Sequence, residues 1–264
     1  MKGTVHYETR DQVALLSIDN PPVNPLSSGV RAGIRDGIGA ALEDEKIQAI
    51  IITGMHRAFI AGADISEFGA AASEGPSLME VLDAMENSPL PVIAAINGTA
   101  FGGGLEVALC CDYRIAAPTA PVGLPEVKLG LLPGAGGTQR LPRLVGAEAS
   151  LRAIISGDPI LAPEALAMGI VDRISTSDIV EDALNFAREI IADGAAKRLV
   201  RDVEGKIEID RSKENLFTQF AEEFQRSHRG QFAPAQILKC VEAAVKEKDF
   251  DVGMQVEREC FNAC

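Results

Sequence analysis

Residues 91–117 read PVIAAINGTAFGGGLEVALCCDYRIAA, and this stretch decides the fold. PVIAAIN (91–97) is a short apolar run of the kind a strand covered on both faces shows. GGGLEVALCC (102–111) is a glycine turn entering a helix, and YRIAA (113–117) is a strand after it. Working outward, VALLSI (13–18) and AIIIT (49–53) are further strands, and AFIAGADI (58–65) follows the second. NPPVNPLSS (20–28) is irregular because its prolines forbid regular structure. Ser27 or Ser28 offers an N-cap to a helix from about Val30 to Glu43. A small-residue loop, GAAASEGPS (69–77), precedes a helix from about Leu78 to Asn87, and IVDRIS (170–175) is the last core strand. Strands alternating with helices predict an α/β core. From about 179 onward the pattern is amphipathic helix throughout, so the expected division is a core over 1–200 and a helical region over 201–264. The last helix is still running at Cys264 with no stop signal, which predicts either a fraying end or a fragment of a longer polypeptide.

The chain has 264 residues, 47% hydrophobic and 24% charged, which rules out bulk disorder. Its formal net charge is −13, so nucleic acid and anionic membrane are not expected as partners, because such binding rests on cationic contacts. No stretch reaches the roughly 20 apolar residues of a membrane span. The N-terminus has neither the apolar run of a signal peptide nor transit-peptide character, and ECFNAC is not a peroxisomal address. Five cysteines at low density, two of them adjacent, read as reduced thiols. The expected location is cytoplasmic. His6, His56 and His228 stand far apart, and no Cys/His spacing suggests a metal site.

Three glycine-rich places invite comparison with phosphate loops. Gly102-Gly103-Gly104 does not fit G-x-G-x-x-G, and PGAGGTQR (133–140) lacks the Lys of a nucleotide-triphosphate loop. The third, Gly62, sits where a turn leaves a strand. Glycines let backbone N–H groups approach a ligand atom closely. Gly102–Gly104 opens a helix whose first N–H groups lack internal partners and sit at the positive end of the dipole, a ready anion or oxyanion site. Glu106 falls on the first turn beside it. A plain glycine turn, with Glu106 favoured by the dipole, accounts for this segment equally well. Glu126 lies in VGLPEVKLGLLPG (122–134), among apolar residues that predict partial burial and a raised carboxyl pKa. A surface pairing of Glu126 with Lys128 or Arg140 is the alternative. Two carboxylates in apolar, glycine-rich segments suit general acid/base work on a neutral substrate.

AFIAGADI (58–65), INGTAFGGGLEVALCCDYRIA (96–116) and VGLPEVKLGLLPGAGGTQRLPRLVG (122–146) together resemble the crotonase superfamily, and within it the enoyl-CoA hydratases. The tail FAPAQILKCVEAAVKEKDFDVGMQVERECF (232–261) is similar to the hydratase/isomerase region of bifunctional β-oxidation enzymes. The resemblance implies a spiral core of repeated ββα units with an all-helical C-terminal region. It implies hydration of trans-2-enoyl-CoA to 3-hydroxyacyl-CoA, with the thioester oxygen between the N–H groups of Ala63 and Gly103 and with Glu106 and Glu126 as the catalytic glutamates. Δ3,Δ2-enoyl-CoA isomerase and a non-catalytic binding protein of the same fold are the alternatives. By the same resemblance the CoA part runs along Ala61, Gly62, Asp64 and Ile65, Phe68 and the 69–77 loop border the acyl tail, and Arg57 meets a CoA phosphate or stands as an exposed loop charge. No metal or further cofactor is implied, coenzyme A being part of the substrate. The implied assembly is a homotrimer or hexamer, or one part of a larger bifunctional chain. Many relatives carry Asn-Ala-Leu where this chain has Asn24-Pro25-Leu26, and Pro25 removes a backbone donor there.

Overall fold

The computed structural model describes residues 3–64, 67, 75–227 and 230–264. It opens with an antiparallel pair, β1 (Thr4–Arg10) and β2 (Val13–Asp19), and α1 (Ser28–Glu43) follows the proline-rich segment. Next come β3 (Ala49–Gly54), β4 (Ala58–Ile60) and α2 (Leu78–Glu86). Then come β5 (Val92–Ile96), β6 (Thr99–Phe101) and α3 (Gly103–Cys110). β7 (Tyr113–Ala116) and β8 (Pro121–Gly123) lead through a 3-10 turn at Pro125–Leu129 into α4 (Gly137–Val145) and α5 (Ala147–Ser156).

Each of these three successions sends its first strand to one sheet and its second to another. The first sheet runs β1-β2-β3-β5-β7-β10 and the second β4-β6-β8-β9, where β9 is Ile160–Leu161 and β10 is Arg173–Ile174. Two strands and a helix per turn, repeated, make a spiral. Period-2 alternation in the first sheet divides the core. Leu16, Ile18, Ile50, Ile52, Ala94 and Ile96 face the large cluster, while Val13, Leu15, Ile51, Ile93 and Ala95 face α7 (Ile179–Ala192). α6 (Ala162–Met168) lies between β9 and β10.

The remaining helices are α8 (Gly205–Arg211), α9 (Leu216–Ser227), α10 (Ala233–Lys246) and α11 (Phe250–Ala263). α10 packs on α4 and α5, and α11 packs on α4 and α10. Ile237, Cys240, Val241 and Cys260 join the same hydrophobic cluster as Leu16 and Ile52, so these helices share the core of the spiral. Among the described residues no helix is long and apolar enough to cross a membrane.

The sequence reading differs from the structure at the short and polar elements. β1 was not expected, because TVHYETR is an almost wholly exposed edge strand with no apolar face to announce it. IVDRIS contributes only the two residues of β10. α8 forms inside the charged stretch after residue 200, anchored by buried Ile207 and by Asp210, which accepts the Ala147 N–H at 2.6 Å. At α1, Ser27 holds the N-cap position without a side-chain cap, and Glu67 instead accepts the Ser28 N–H at 2.7 Å.

Gly104 shows how tightly α3 is set. A Cβ there would stand 2.1 Å from the Ile60 carbonyl oxygen and 2.8 Å from its carbon, both backbone atoms of β4. Gly104→Ala must separate α3 from β4, and is expected to cost more than about 3 kcal/mol. Thermal unfolding against the parent measures it, and an unchanged midpoint would contradict this packing.

Candidate active site

β4 and β6 are parallel neighbours, with Ala58 opposite Thr99 and Ile60 opposite Ala100. They therefore release their following residues side by side, Ala61–Ala63 from one and Gly102–Gly103 from the other. Leu26 bridges to Ala63, its N–H donating to the Gly62 carbonyl at 2.9 Å. Gly102 has φ +54°, a conformation that favours glycine, and its N–H donates to the Gly123 carbonyl at 2.9 Å. This turn swings the chain from β6 into α3, leaving Gly103 as the first helical residue. Among the described residues neither the Ala63 nor the Gly103 N–H has a hydrogen-bond partner. Both residues line one cavity of about 390 Å³.

Glu106 and Glu126 line the same cavity. Glu106, on the first turn of α3, is 3% exposed, and its Oε1 accepts the Ala135 N–H at 2.7 Å and the Gly137 N–H at 2.9 Å. Burial pushes its carboxyl up, and the two amides oppose that. Glu126 sits on the 3-10 turn with Oε1 over Gly102, 2.9 Å from where a Cβ would stand. Its buried Oε2 has no hydrogen-bond partner. Burial, and then the charge of Glu106, push the Glu126 carboxyl to about 8. The surface-pair alternative for Glu126 is overturned, since Lys128 pairs with Asp158 and Arg140 with Glu86. One carboxylate fixed by two donors thus faces another whose oxygen is open, across a largely apolar cavity.

Of the other predicted residues, Ala61 and Gly62 line the cavity. Asp64 follows, its carbonyl accepting the Glu67 N–H at 3.0 Å. Arg57 is exposed in the turn between β3 and β4 and does not line the cavity. Ile65, Phe68 and most of the 69–77 loop lie outside the described residues. Beside Pro25, Asn24 donates through Nδ2 to the Met55 and Ala58 carbonyls at 3.0 and 2.8 Å, tying the proline segment to β4.

Two site residues escaped the sequence reading. Phe261 of α11 lines the cavity, and Glu257, fully buried, faces the 136–138 backbone. The available signal was spacing: Phe250, Gly253, Glu257 and Cys260 are the buried positions of α11, so Glu257 occupies a core place in a helical period.

A spiral of ββα units, with two open amides and two carboxylates on one cavity, defines the crotonase class of α/β proteins. The family model for enoyl-CoA hydratase/isomerase matches residues 8–246, and the chain belongs to that family. It is 44% identical over 249 residues to the peroxisomal bifunctional enzyme of Homo sapiens, covering 94% of this chain and 34% of that protein. It is 44% identical over 183 residues to a probable enoyl-CoA hydratase of Bacillus subtilis (strain 168), covering 66% of this chain and 71% of that protein. Among solved structures, an enoyl-CoA hydratase from Bacillus anthracis superposes with a TM-score of 0.66 at 29% identity, covering 99% of this chain and 90% of that one. The chain spans about a third of the length of the bifunctional relatives it matches, 34% in the human case.

Proposed function

We propose that this chain hydrates trans-2-enoyl-CoA to 3-hydroxyacyl-CoA. The observation that carries the proposal is the convergence of the open Ala63 and Gly103 amides with Glu106 and Glu126 on one cavity. With the thioester oxygen between the two N–H groups, enolate charge develops against preorganised donors, each contributing about 3–4 kcal/mol by analogy with other oxyanion holes. Water adds its oxygen to C3 and gives its proton to a carboxylate. Glu126, held protonated by its surroundings, delivers a proton to C2 as the enolate collapses. Glu106, oriented by Ala135 and Gly137, receives the proton of the water. The net change is one water added and no electrons transferred, so no redox cofactor enters, and coenzyme A belongs to the substrate. The two carboxylates titrate as a pair.

In this reading the CoA part follows Ala61–Ile65, with Arg57 toward a CoA phosphate and Phe68 bordering the acyl tail. The open Oε2 of Glu126 also favours a second reading, Δ3,Δ2-enoyl-CoA isomerisation, in which one carboxyl carries a proton between carbons. A cytoplasmic location, and assembly as a homo-oligomer or within a bifunctional chain, are further parts of the proposal.

The test is a panel of trans-2- and cis- or trans-3-enoyl-CoAs of several lengths, followed by loss or gain of the conjugated enone absorbance. Hydration by the parent, reduced at least about a hundredfold in Glu106→Gln, is expected. Equal rates in parent and variant would remove Glu106 from the chemistry. Turnover of 3-enoyl-CoA alone would select the isomerase.

A further inference from the structure

Four consecutive backbone amides, from Ala135 to Thr138, alternate between two buried carboxylates. Ala135 and Gly137 donate to Glu106 Oε1 at 2.7 and 2.9 Å. Gly136 donates to Glu257 Oε1 at 2.6 Å, and Thr138 donates to Glu257 Oε2 at 3.0 Å. The Thr138 hydroxyl donates to Oε2 as well, while accepting from Gln139 Nε2 at 2.9 Å. Glu106 comes from α3 and Glu257 from α11, 151 positions on (257 − 106). The segment is therefore clamped from both sides. Arg140 adds a hold of its own by donating to the Ala135 carbonyl at 3.1 Å.

A mere tie between helix and loop does not need a carboxyl in this place. Burying a carboxyl with 0% exposure is costly, and a glutamine or an apolar contact would hold α11 with less desolvation. What glutamate offers here and glutamine does not is two oxygens that both accept, matching two N–H groups of alternating residues, in a carboxyl that burial and then the charge of Glu106 raise to about 8. If either of those amides turned away, its neighbours would turn from Glu106 too, because successive peptide planes share a backbone.

We infer that Glu257 is a positioning residue: by accepting the Gly136 and Thr138 amides it keeps the Ala135 and Gly137 amides aimed at Glu106, and so fixes the orientation of that carboxylate. The effect on catalysis rests on the hydration reading, whereas the effect on the amides does not. Glu257 itself does not touch the substrate, and it acts only through Glu106.

Four proteins test this: the parent, Glu257→Gln, Glu106→Gln and the double variant. Glutamine keeps the shape but presents an amino group to one of the two N–H donors. Expected for Glu257→Gln is a kcat lowered about tenfold, with KM within about twofold of the parent. In the double variant no loss beyond that of Glu106→Gln is expected, the mark of residues acting as one unit. Glu257→Asp, with both acceptor oxygens, is expected to recover part of kcat. Amide hydrogen exchange reads the positioning without turnover. In Glu257→Gln the Ala135 and Gly137 amides, whose acceptor is Glu106, are expected to exchange about tenfold faster or more. Parent-like kcat and parent-like exchange in Glu257→Gln would overturn the inference, as would losses that multiply in the double variant. A parent that hydrates no enoyl-CoA would defeat the hydration reading alone, and exchange would still decide the role of Glu257. Should Glu257→Gln not fold, Thr138→Val removes the hydroxyl that donates to Glu257 and accepts from Gln139, and leaves the four backbone amides in place. A smaller kcat loss at unchanged KM supports the inference there, and parent-like kcat and exchange overturn it.

Discussion

Glu126→Gln is expected to lower kcat for hydration about a thousandfold while KM for the enoyl-CoA stays within about threefold. The amide fills the same space beside Gly102 but cannot give up a proton to C2. The pH profile supplies an independent check. The Glu126 carboxyl is raised from 4.5 to about 8, chiefly by burial and next by the charge of Glu106. It is therefore protonated below about pH 8 and ionised above. Since the step needs the protonated form, kcat of the parent should fall as pH rises through about 8. Glu126→Gln should lack that limb. A variant with parental kcat, or with the same basic limb, would remove Glu126 from the proton transfer.

Glu86→Ala is expected to cost about 3–5 kcal/mol of stability, because it strands the buried Arg140 guanidinium. Glu86 closes α2, and its Oε1 accepts from Arg140 Nε and Nη2 at 3.2 and 2.9 Å, while its Oε2 accepts from Arg201 Nη1 at 3.2 Å. The Arg140 side chain is 2% exposed, and Arg140, Arg143 and Arg201 all stand over the Phe250 ring, 4.6 to 5.2 Å from its centroid. Without Glu86 the buried Arg140 loses its paired carboxylate and Arg201 keeps only Asp251, while three cations still crowd one ring. The melting temperature should fall by about 10 °C. The exposed pair Lys128–Asp158 serves as the control, and Lys128→Ala should leave the midpoint unchanged. A Glu86→Ala protein as stable as the parent would show that water reaches Arg140 freely.

The parts of the fold legible in the sequence were those where one local rule acts alone. β3 and β5 are buried at every position and read as unbroken apolar runs. α2 carries a full capping box between Ser77 and Glu80, and its start at Leu78 was expected. α4 and α5 carry no helix signal of their own, because Gly136 and Gly146 stand at their N-caps and Pro142 inside α4. Tertiary contacts override those breakers, with the Arg140 and Arg143 side chains buried against neighbouring helices. In the site, the quoted motifs and their resemblance named Ala63, Gly103, Glu106 and Glu126, and the structure places all four on one cavity. Glu257 and Phe261 were not named, since a glutamate and a phenylalanine in an amphipathic tail announce only a helix. Their role comes from where α11 docks, which no local pattern encodes.

The cavity draws its walls from segments that a ribosome delivers at widely separated moments. Ala63, Gly103 and Glu126 emerge early, whereas Phe261 and the clamp at Glu257 arrive only with α11. Without that helix the spiral would lack the Phe261 wall of the cavity and the hold of Glu257 on the 136–138 backbone. The cavity is therefore complete only once α11 has followed the spiral out of the exit tunnel and settled onto α4.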